Sequence, residues 1–336
     1  MTYTRPDQLP ASLCCDRQGA QRVAAQFPMR ISSHYIERIQ GQGDPIARQV
    51  IPDLRELDDS ATHPDPLQEE SQAPVPQVIH RYPHRVLFLV SNRCAVHCRF
   101  CMRKRRFDNT GQVPAAAIGE GIDYIQNTPQ INEVILSGGD PFMLSDTALE
   151  EILRPLHCIP HVRVLRIHTR IPNALPERIT ASLAKRLAGF HPLYVNIHFN
   201  HPDEITLQAR DACARLADAG IPLGSQTVLL RDVNDHPDVL IDLFQALLEI
   251  RVRPYYLHQI DRVPGTAHFR VPIEKAVELM GALRGRLSGQ AMPHLMVDLP
   301  GGGGKVELVD HGHASADEAE WVFRNFEGRR FTYPLR

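Results

Sequence analysis

Val86-Leu87-Phe88-Leu89-Val90-Ser91-Asn92-Arg93-Cys94-Ala95-Val96-His97-Cys98-Arg99-Phe100-Cys101 joins a short apolar run to three cysteines at C-x3-C-x2-C spacing. A run of that length bounded by polar residues predicts a buried strand over Val86–Ser91, which puts the thiols just past its C-terminal end. Thiolates are soft ligands that select zinc, copper(I) or iron–sulfur clusters. A four-iron cluster ordinarily takes four cysteines, so three leave one iron open to a substrate or cofactor. The alternative is a structural zinc site of the Cys3His kind with His97 as fourth ligand. Such sites usually draw ligand pairs from two places in the chain. No second C-x2-C exists here, and Cys14, Cys15, Cys158 and Cys213 are scattered.

Outward from this stretch, β-rich runs alternate with helical patterns. The expected strands are Val86–Ser91, Glu133–Ser137, Val162–His168, Leu193–Phe199, Leu223–Leu229, Arg253–His258 and Leu295–Leu299. The expected helices lie near Ala115–Asn127, Asp146–His157, Glu177–Gly189, Asp203–Gly220, Pro237–Glu249 and Ile273–Ser288. Such alternation implies an α/β fold with a parallel sheet, which right-handed crossovers curl toward a barrel. Six repeats and one further strand fall short of eight, so the expectation is a partial (β/α)6 barrel with functional groups at the C-terminal strand ends. A flavodoxin-like open sheet fits the alternation but explains the cysteine loop less well. Residues 1–77 read as a helical N-terminal extension and linker, with Pro64, Pro66, Pro74 and Pro76 near its end. Residues 78–300 read as the barrel, and 301–336 as a glycine–lysine loop and tail with a strand over Trp321–Phe326.

The 336 residues carry a net charge of −2 and 43% hydrophobic content, globular values with no overall field for nucleic acid or an anionic membrane. No apolar run reaches the length of a membrane span, and the N-terminus lacks a signal-peptide core. Seven cysteines without framework spacing argue against a secreted disulfide protein. The expected location is the cytoplasm. The basic run Arg99, Arg103, Lys104, Arg105, Arg106 reads as a solvated patch or an anion pocket.

Two more stretches carry chemistry. Ser137-Gly138-Gly139-Asp140-Pro141 ends the second strand, where glycines let backbone approach a ligand and Asp140 offers an acceptor. Pro300-Gly301-Gly302-Gly303-Gly304-Lys305 fails the phosphate-loop pattern twice, at Leu299 and at Val306. It still delivers one amine from a close backbone approach, as a pyridoxal-binding lysine requires.

The cysteine motif and Ser137–Asp140 resemble the signatures of the radical S-adenosylmethionine superfamily. With His80–Val90, Thr128–Gln130, Asn196–Pro202, Pro254–Tyr256 and Asp298–Lys305, the chain resembles the lysine 2,3-aminomutase family from about Asp65 to Phe326. The resemblance implies a [4Fe-4S] cluster on Cys94, Cys98 and Cys101, and S-adenosylmethionine at Ser137, Gly138, Gly139 and Asp140. It also implies pyridoxal 5′-phosphate on Lys305, handled by Arg81, Tyr82, Arg85 and Gln226, with His198 lining the cofactor pocket. Arg103 would bind the substrate carboxylate, and Asp261 and Asp298 its distal ammonium. The implied activity is an isomerase moving the amino group of L-lysine from the α to the β carbon. The partners are an amino acid and a flavodoxin- or ferredoxin-type electron donor, with room for a homo-oligomer and no nucleic acid or membrane. The alternatives are the branch whose β-lysine modifies elongation factor P, which Leu257–Asp261 and Gly265–Phe269 resemble, and an aminomutase for another amino acid. A zinc-stabilised binding protein is the reading outside enzymes. Two departures stand out: Asp235-His236 replace the barrel cysteine of a zinc site found in clostridial-type members, and Cys101–Phe107 is one residue longer than their form.

Overall fold

Seven of the expected strands form one continuous sheet in the computed structural model, which describes residues 2–14, 16–41, 43–59, 63–107, 111–308, 313–316, 320–324 and 329–334. The N-terminal segment comprises a two-residue ladder of β1 (Thr2–Tyr3) with β2 (Ile31–Ser32) and three helices, α1 (Arg17–Gln26), α2 (Ser33–Ile36) and α3 (Pro45–Arg48). The sheet strands are β3 (Val78–Tyr82), β4 (Arg85–Ser91), β5 (Glu133–Gly138), β6 (Val164–Thr169), β7 (Leu193–His198), β8 (Leu223–Leu229), β9 (Val252–Gln259), β10 (His294–Leu299) and β11 (Gly304–Glu307). Between them run α4 (Ala115–Gln126), α5 (Asp146–Cys158), α6 (Ile171–Ala174), α7 (Ala181–Leu187), α8 (Leu207–Asp218), α9 (Pro237–Glu249) and α10 (Ile273–Leu283). A three-stranded antiparallel sheet follows, β12 (His313–Ala316), β13 (Glu320–Arg324) and β14 (Arg330–Pro334). The expected tail strand thus appears as β13, and Phe326 lies outside the described residues.

β4 through β10 pair in parallel in chain order, the partial barrel expected from the alternation. Its wall packs in the usual way: α5 buries Leu149, Ile152, Leu153 and Leu156, one stripe at helical spacing, against the sheet. Val86, Phe88, Leu89 and Val90 of β4 are all buried, as a strand covered on both faces requires. Side-chain caps set helix starts that periodicity missed. The 177–189 and 203–220 patterns break because Thr180 and Thr206 accept the Leu183 and Ala209 N–H groups, starting α7 and α8 afresh. α10 stops at Leu283, five residues early, just before Gly285 at φ 77°. His236 caps α9 by accepting the Asp238 N–H.

Two edge strands were not expected. β3 and β11 flank the parallel set antiparallel to β4 and β10. Among the described residues no backbone ladder joins them, and side chains cross the seam instead. The Lys305 N–H donates to Tyr82 Oη at 2.8 Å, and the Arg81 guanidinium lies 3.6 Å from Asp298.

The N-terminal segment grips the cysteine loop from outside. Arg99, wholly buried, donates through Nε and Nη2 to the Glu56 carboxylate at 2.8–3.1 Å, and through Nη2 and Nη1 to the Phe27 and Pro28 carbonyls. Lys104 Nζ reaches the same carboxylate at 2.7 Å. The His97 and Arg99 N–H groups bond the Arg30 and Gln49 carbonyls, each at 2.8 Å. Burial alone would raise the Glu56 pKa, but the two cations beside it hold it below the usual carboxylate range. Arg99 and Lys104 are therefore not a solvated patch: their anion is supplied by the protein itself. Removing one member of a buried ion network strands the others and typically costs about 3–5 kcal/mol. Glu56→Ala is expected to lower the unfolding free energy of the apoprotein by that order, measured by urea titration, whereas exposed Glu274→Ala leaves it within experimental scatter.

Candidate active site

A cavity of about 360 Å³ opens at the C-terminal ends of the parallel strands. Every candidate residue named above for a cluster, cofactor or substrate lines it, from Arg81 on β3 to Lys305 on β11.

At one end are the three thiols. Arg170, just past β6, donates Nη1 to Cys98 Sγ at 2.7 Å. Burial, then the charge of a neighbouring cysteine, pushes the Cys101 pKa up to about 11 and raises that of Cys94 well above the usual thiol value. These thiols stay protonated until a metal displaces their protons. His97 does not line the cavity. Its Nδ1 is 3.0 Å from the Pro28 carbonyl, and its ring stacks on Phe107 at 4.2 Å. The Cys3His arrangement is therefore not formed, because packing against the N-terminal segment has claimed the imidazole. Three half-buried thiols lining one cavity, with a cationic donor at one sulfur, fit a cluster with one open iron.

The Ser137–Asp140 run is laced to the cysteine loop. The Gly139 and Asp140 N–H groups donate to the Ser91 and Arg93 carbonyls at 2.5 and 2.7 Å. A Cβ on Gly138 would stand 2.3 Å from the Ser91 oxygen, and one on Gly139 2.5 Å from the Arg93 oxygen, so only glycine fits. The Asp140 carboxylate accepts from the Thr169 hydroxyl at 2.8 and 3.0 Å and from the Arg170 and Phe142 N–H groups. It ties the ends of β5 and β6 together, a structural task beyond the ligand acceptor expected of it. Burial still raises its pKa to about 6 against those bonds.

The opposite end holds the lysine. Lys305 Nζ donates to Asp298 Oδ2, with His258 Nδ1 3.8 Å from the same oxygen. Gly304, at φ 83°, brings the backbone under Tyr82, whose hydroxyl would lie 3.1 Å from a Cβ there. Arg85 stacks on the Tyr82 ring at 4.0 Å, and Arg81 is fixed by Gln72 Oε1 at 2.7 Å and the Leu67 carbonyl at 2.8 Å. Burial, then the Lys305 charge, holds His258 neutral, while burial and then Arg170 lower His198 to about 4. His198 Nε2 is buried with no partner among the described residues, an orphan in the cavity wall that a ligand would satisfy. Two arginines, an orphaned imidazole and an amine on a close-approach strand fit a phosphate-bearing aldehyde cofactor.

Asp261, two residues past β9, enters the same cavity. Burial, then the charge on Asp298, raises its pKa to about 7. Arg103 sits across from it and is already engaged: Glu69 takes its Nε and Nη2 in a fork. Sequence reasoning missed Glu69, which lies in the proline-rich stretch read as linker; its only signal was an acidic cluster matching the basic run. The sequence places Arg170 in the polar cluster His168–Arg170 at a strand end but assigns it no role; its Nη2 meets Tyr35, Gln49 and Glu204 at 2.6 Å each.

Residues 88–244 match the Radical SAM superfamily, and residues 280–335 match the family described as Lysine-2,3-aminomutase. The crystal structure of a radical SAM methyltransferase from Sphaerobacter thermophilus shares the fold, with a TM-score of 0.50 at 18% identity over 66% of this chain and 68% of that one. The barrel with its three-cysteine loop is that of a radical S-adenosylmethionine enzyme, which works with a four-iron cluster. L-lysine 2,3-aminomutase of Clostridium subterminale is 44% identical over 323 residues, covering 95% of this chain and 77% of that protein. The chain belongs to the lysine 2,3-aminomutase family and is an isomerase. Glutamate 2,3-aminomutase of Clostridioides difficile is 41% identical over 94% of this chain and 75% of its own, so the family spans more than one substrate. No helix among the described residues is long and apolar enough to cross a membrane.

The geometry separates the cysteines from the histidine. After anaerobic reconstitution with iron and sulfide, Cys98→Ala is expected to lose the four-iron absorbance and iron content, while His97→Ala keeps both. Iron loss in His97→Ala alone would restore the zinc-type ligand set.

Proposed function

We propose that the chain is an L-lysine 2,3-aminomutase, with pyridoxal 5′-phosphate on Lys305 as its second organic cofactor. The reading is carried by the pairing of Asp261 and Asp298 in one cavity with Lys305 and Arg103. When bound, the cluster with S-adenosylmethionine supplies a carbon radical that removes a hydrogen atom, and pyridoxal phosphate supplies the carbonyl that carries the amine as it migrates. Cys94, Cys98 and Cys101 hold three irons, and Ser137–Asp140 offer backbone and carboxylate to the methionine amino group. Arg81, Tyr82, Arg85 and Gln226 grip the phosphate, for which planar guanidinium forks are suited. Lys305 is the tether. Its present partner Asp298 keeps the ammonium in place and is freed for another cation once the lysine is used. Arg103 takes the substrate carboxylate. The reducing electron is assigned to a flavodoxin or ferredoxin.

Substrate choice follows from charge. Two carboxylates sharing a low-dielectric pocket disfavour each other's ionisation, which is visible in the raised Asp261. A distal ammonium relieves that repulsion, whereas the side chain of glutamate adds a third negative charge. Lysine is expected to be turned over in preference to alanine, arginine and glutamate in an anaerobic assay. Asp261→Asn should lower kcat/KM for lysine by roughly 30-fold or more, the scale of losing one partner of a buried charge pair. Glutamate as the best wild-type substrate overturns the assignment.

A second test uses pH. Asp261 must be ionised to receive an ammonium, and its pKa lies near 7, so kcat/KM for lysine should fall as pH drops through that value. Burial is the main cause and remains in Asp298→Asn, but the neighbouring charge is gone, so the acid limb moves part of the way to lower pH. An unshifted limb would exclude Asp261 as the titrating group.

Lys305→Ala should remove the absorbance of a bound pyridoxal while leaving the iron content intact. Borohydride labelling of a different lysine would refute the tether.

A further inference from the structure

Residues 63–77 carry a buried carboxylate that the roles above leave unused. Glu69 is 3% exposed, and both of its oxygens accept from Arg103, Nη2 at 2.6 Å and Nε at 3.0 and 3.2 Å. Arg105 Nη2 adds a bond at 3.1 Å and is itself met by Asp65 and Glu70, also at 3.1 Å. The positive charges of Arg103 and Arg105 are thus matched within the protein. At the lysine end Asp298 is matched by Lys305. Asp261, unlike Asp298, has no ion-pair partner among the described residues, and the charge on Glu69 adds to the negative potential it feels.

An arginine without a counter-ion attracts any carboxylate, whether it belongs to the backbone end of an amino acid or to its side chain. Glu69 changes that. It occupies Nε and Nη2 in a fixed fork, leaves Nη1 without a partner among the described residues, and cancels the net charge. The α-carboxylate then meets an oriented but neutralised donor, and the part of the cavity around Asp261, which feels the charges of Asp298 and Glu69, keeps its negative potential.

We infer that Glu69 is a specificity-determining residue, which by neutralising Arg103 keeps the cavity hostile to amino acids with a second carboxylate and open to those with a distal ammonium. The inference rests on the carboxylate-binding role given to Arg103 above. It adds a third carboxylate, from outside the barrel, to the two that face the substrate side chain.

Glu69→Gln keeps the size and one acceptor oxygen while removing the charge. The measurement is the ratio of lysine to glutamate affinity, by calorimetry and as kcat/KM, in wild type, Glu69→Gln, and the charge-neutral double variant Glu69→Gln/Arg103→Gln. The ratio should fall about tenfold in the single variant, the scale of one unit charge acting across a cavity of intermediate dielectric. It should return toward wild type in the double variant, although both ligands then bind more weakly. A purely structural role would weaken lysine and glutamate alike, and an unchanged ratio in Glu69→Gln overturns the inference. Should the single variant not fold, Arg103→Gln, which leaves the Glu69 charge unmatched by Arg103, decides: a raised lysine-to-glutamate ratio supports the inference and an unchanged or lowered one overturns it. Because ratios are compared between variants, a wild type that prefers glutamate would sink the lysine assignment without hiding the effect of Glu69.

Discussion

A carboxylate with no access to water holds the cysteine loop in place. Glu56 comes from the N-terminal segment, and its two partners, Arg99 and Lys104, bracket Cys101 in sequence. Buried charge pairs are poor sources of net stability, since an apolar replacement of the same shape often does as well. They are good at fixing one arrangement, because each member is costly to leave alone. Here that property fixes the loop's path relative to β4, so the thiols face the cavity while His97 turns outward. The loop otherwise lacks regular structure through Cys101, and its backbone groups at His97 and Arg99 are satisfied by Arg30 and Gln49 of the same N-terminal segment. The extension is thus the outer half of the mould in which the cysteines are set.

The same device recurs around the cavity with different members. Glu204 is wholly buried and meets Arg170, which in turn touches Cys98 and Tyr35. Asp140 ties Thr169 and the Arg170 backbone to the glycine run. Each network joins a barrel strand end to either the N-terminal segment or the next strand end. Preorganisation of this kind suits an enzyme whose cofactors perform the difficult steps, since the protein then has chiefly to hold reacting parts in register.

Much of this was legible in the sequence, for a physical reason. β8 and α9 begin and end where alternation and a proline at the first helical turn place them, because burial against a common core imposes the period directly. The site residues were legible where their chemistry is local: three cysteines within eight positions, two glycines and an aspartate, four glycines and a lysine. What escaped is non-local. Glu69 meets Arg103 across 34 residues and Glu56 meets Arg99 across 43, and neither acid differs in sequence from its solvated neighbours. β3 and β11 escaped for a related reason: β3 has Val78 and Ile79 as its buried apolar pair, β11 is four residues long, and each pairs with a single neighbour, β4 or β10.

Those two edges leave the barrel with a seam that no backbone ladder closes among the described residues. It is spanned by the Tyr82 hydroxyl and the Arg81 guanidinium. A molecule held by Arg81 and Arg85 on one lip and by Lys305 on the other would lie across that gap as a rung. Its binding free energy would then enter the mechanical cohesion of the barrel, since anything bound only by the folded form stabilises it in proportion to the logarithm of its concentration over Kd. The wall opposite, where β6, β7 and β8 are laddered on both sides, needs no such rung. With such a ligand in place the barrel would be a clasp pinned by the molecule it holds, and the empty protein would be expected to open first at the seam rather than at the cysteines.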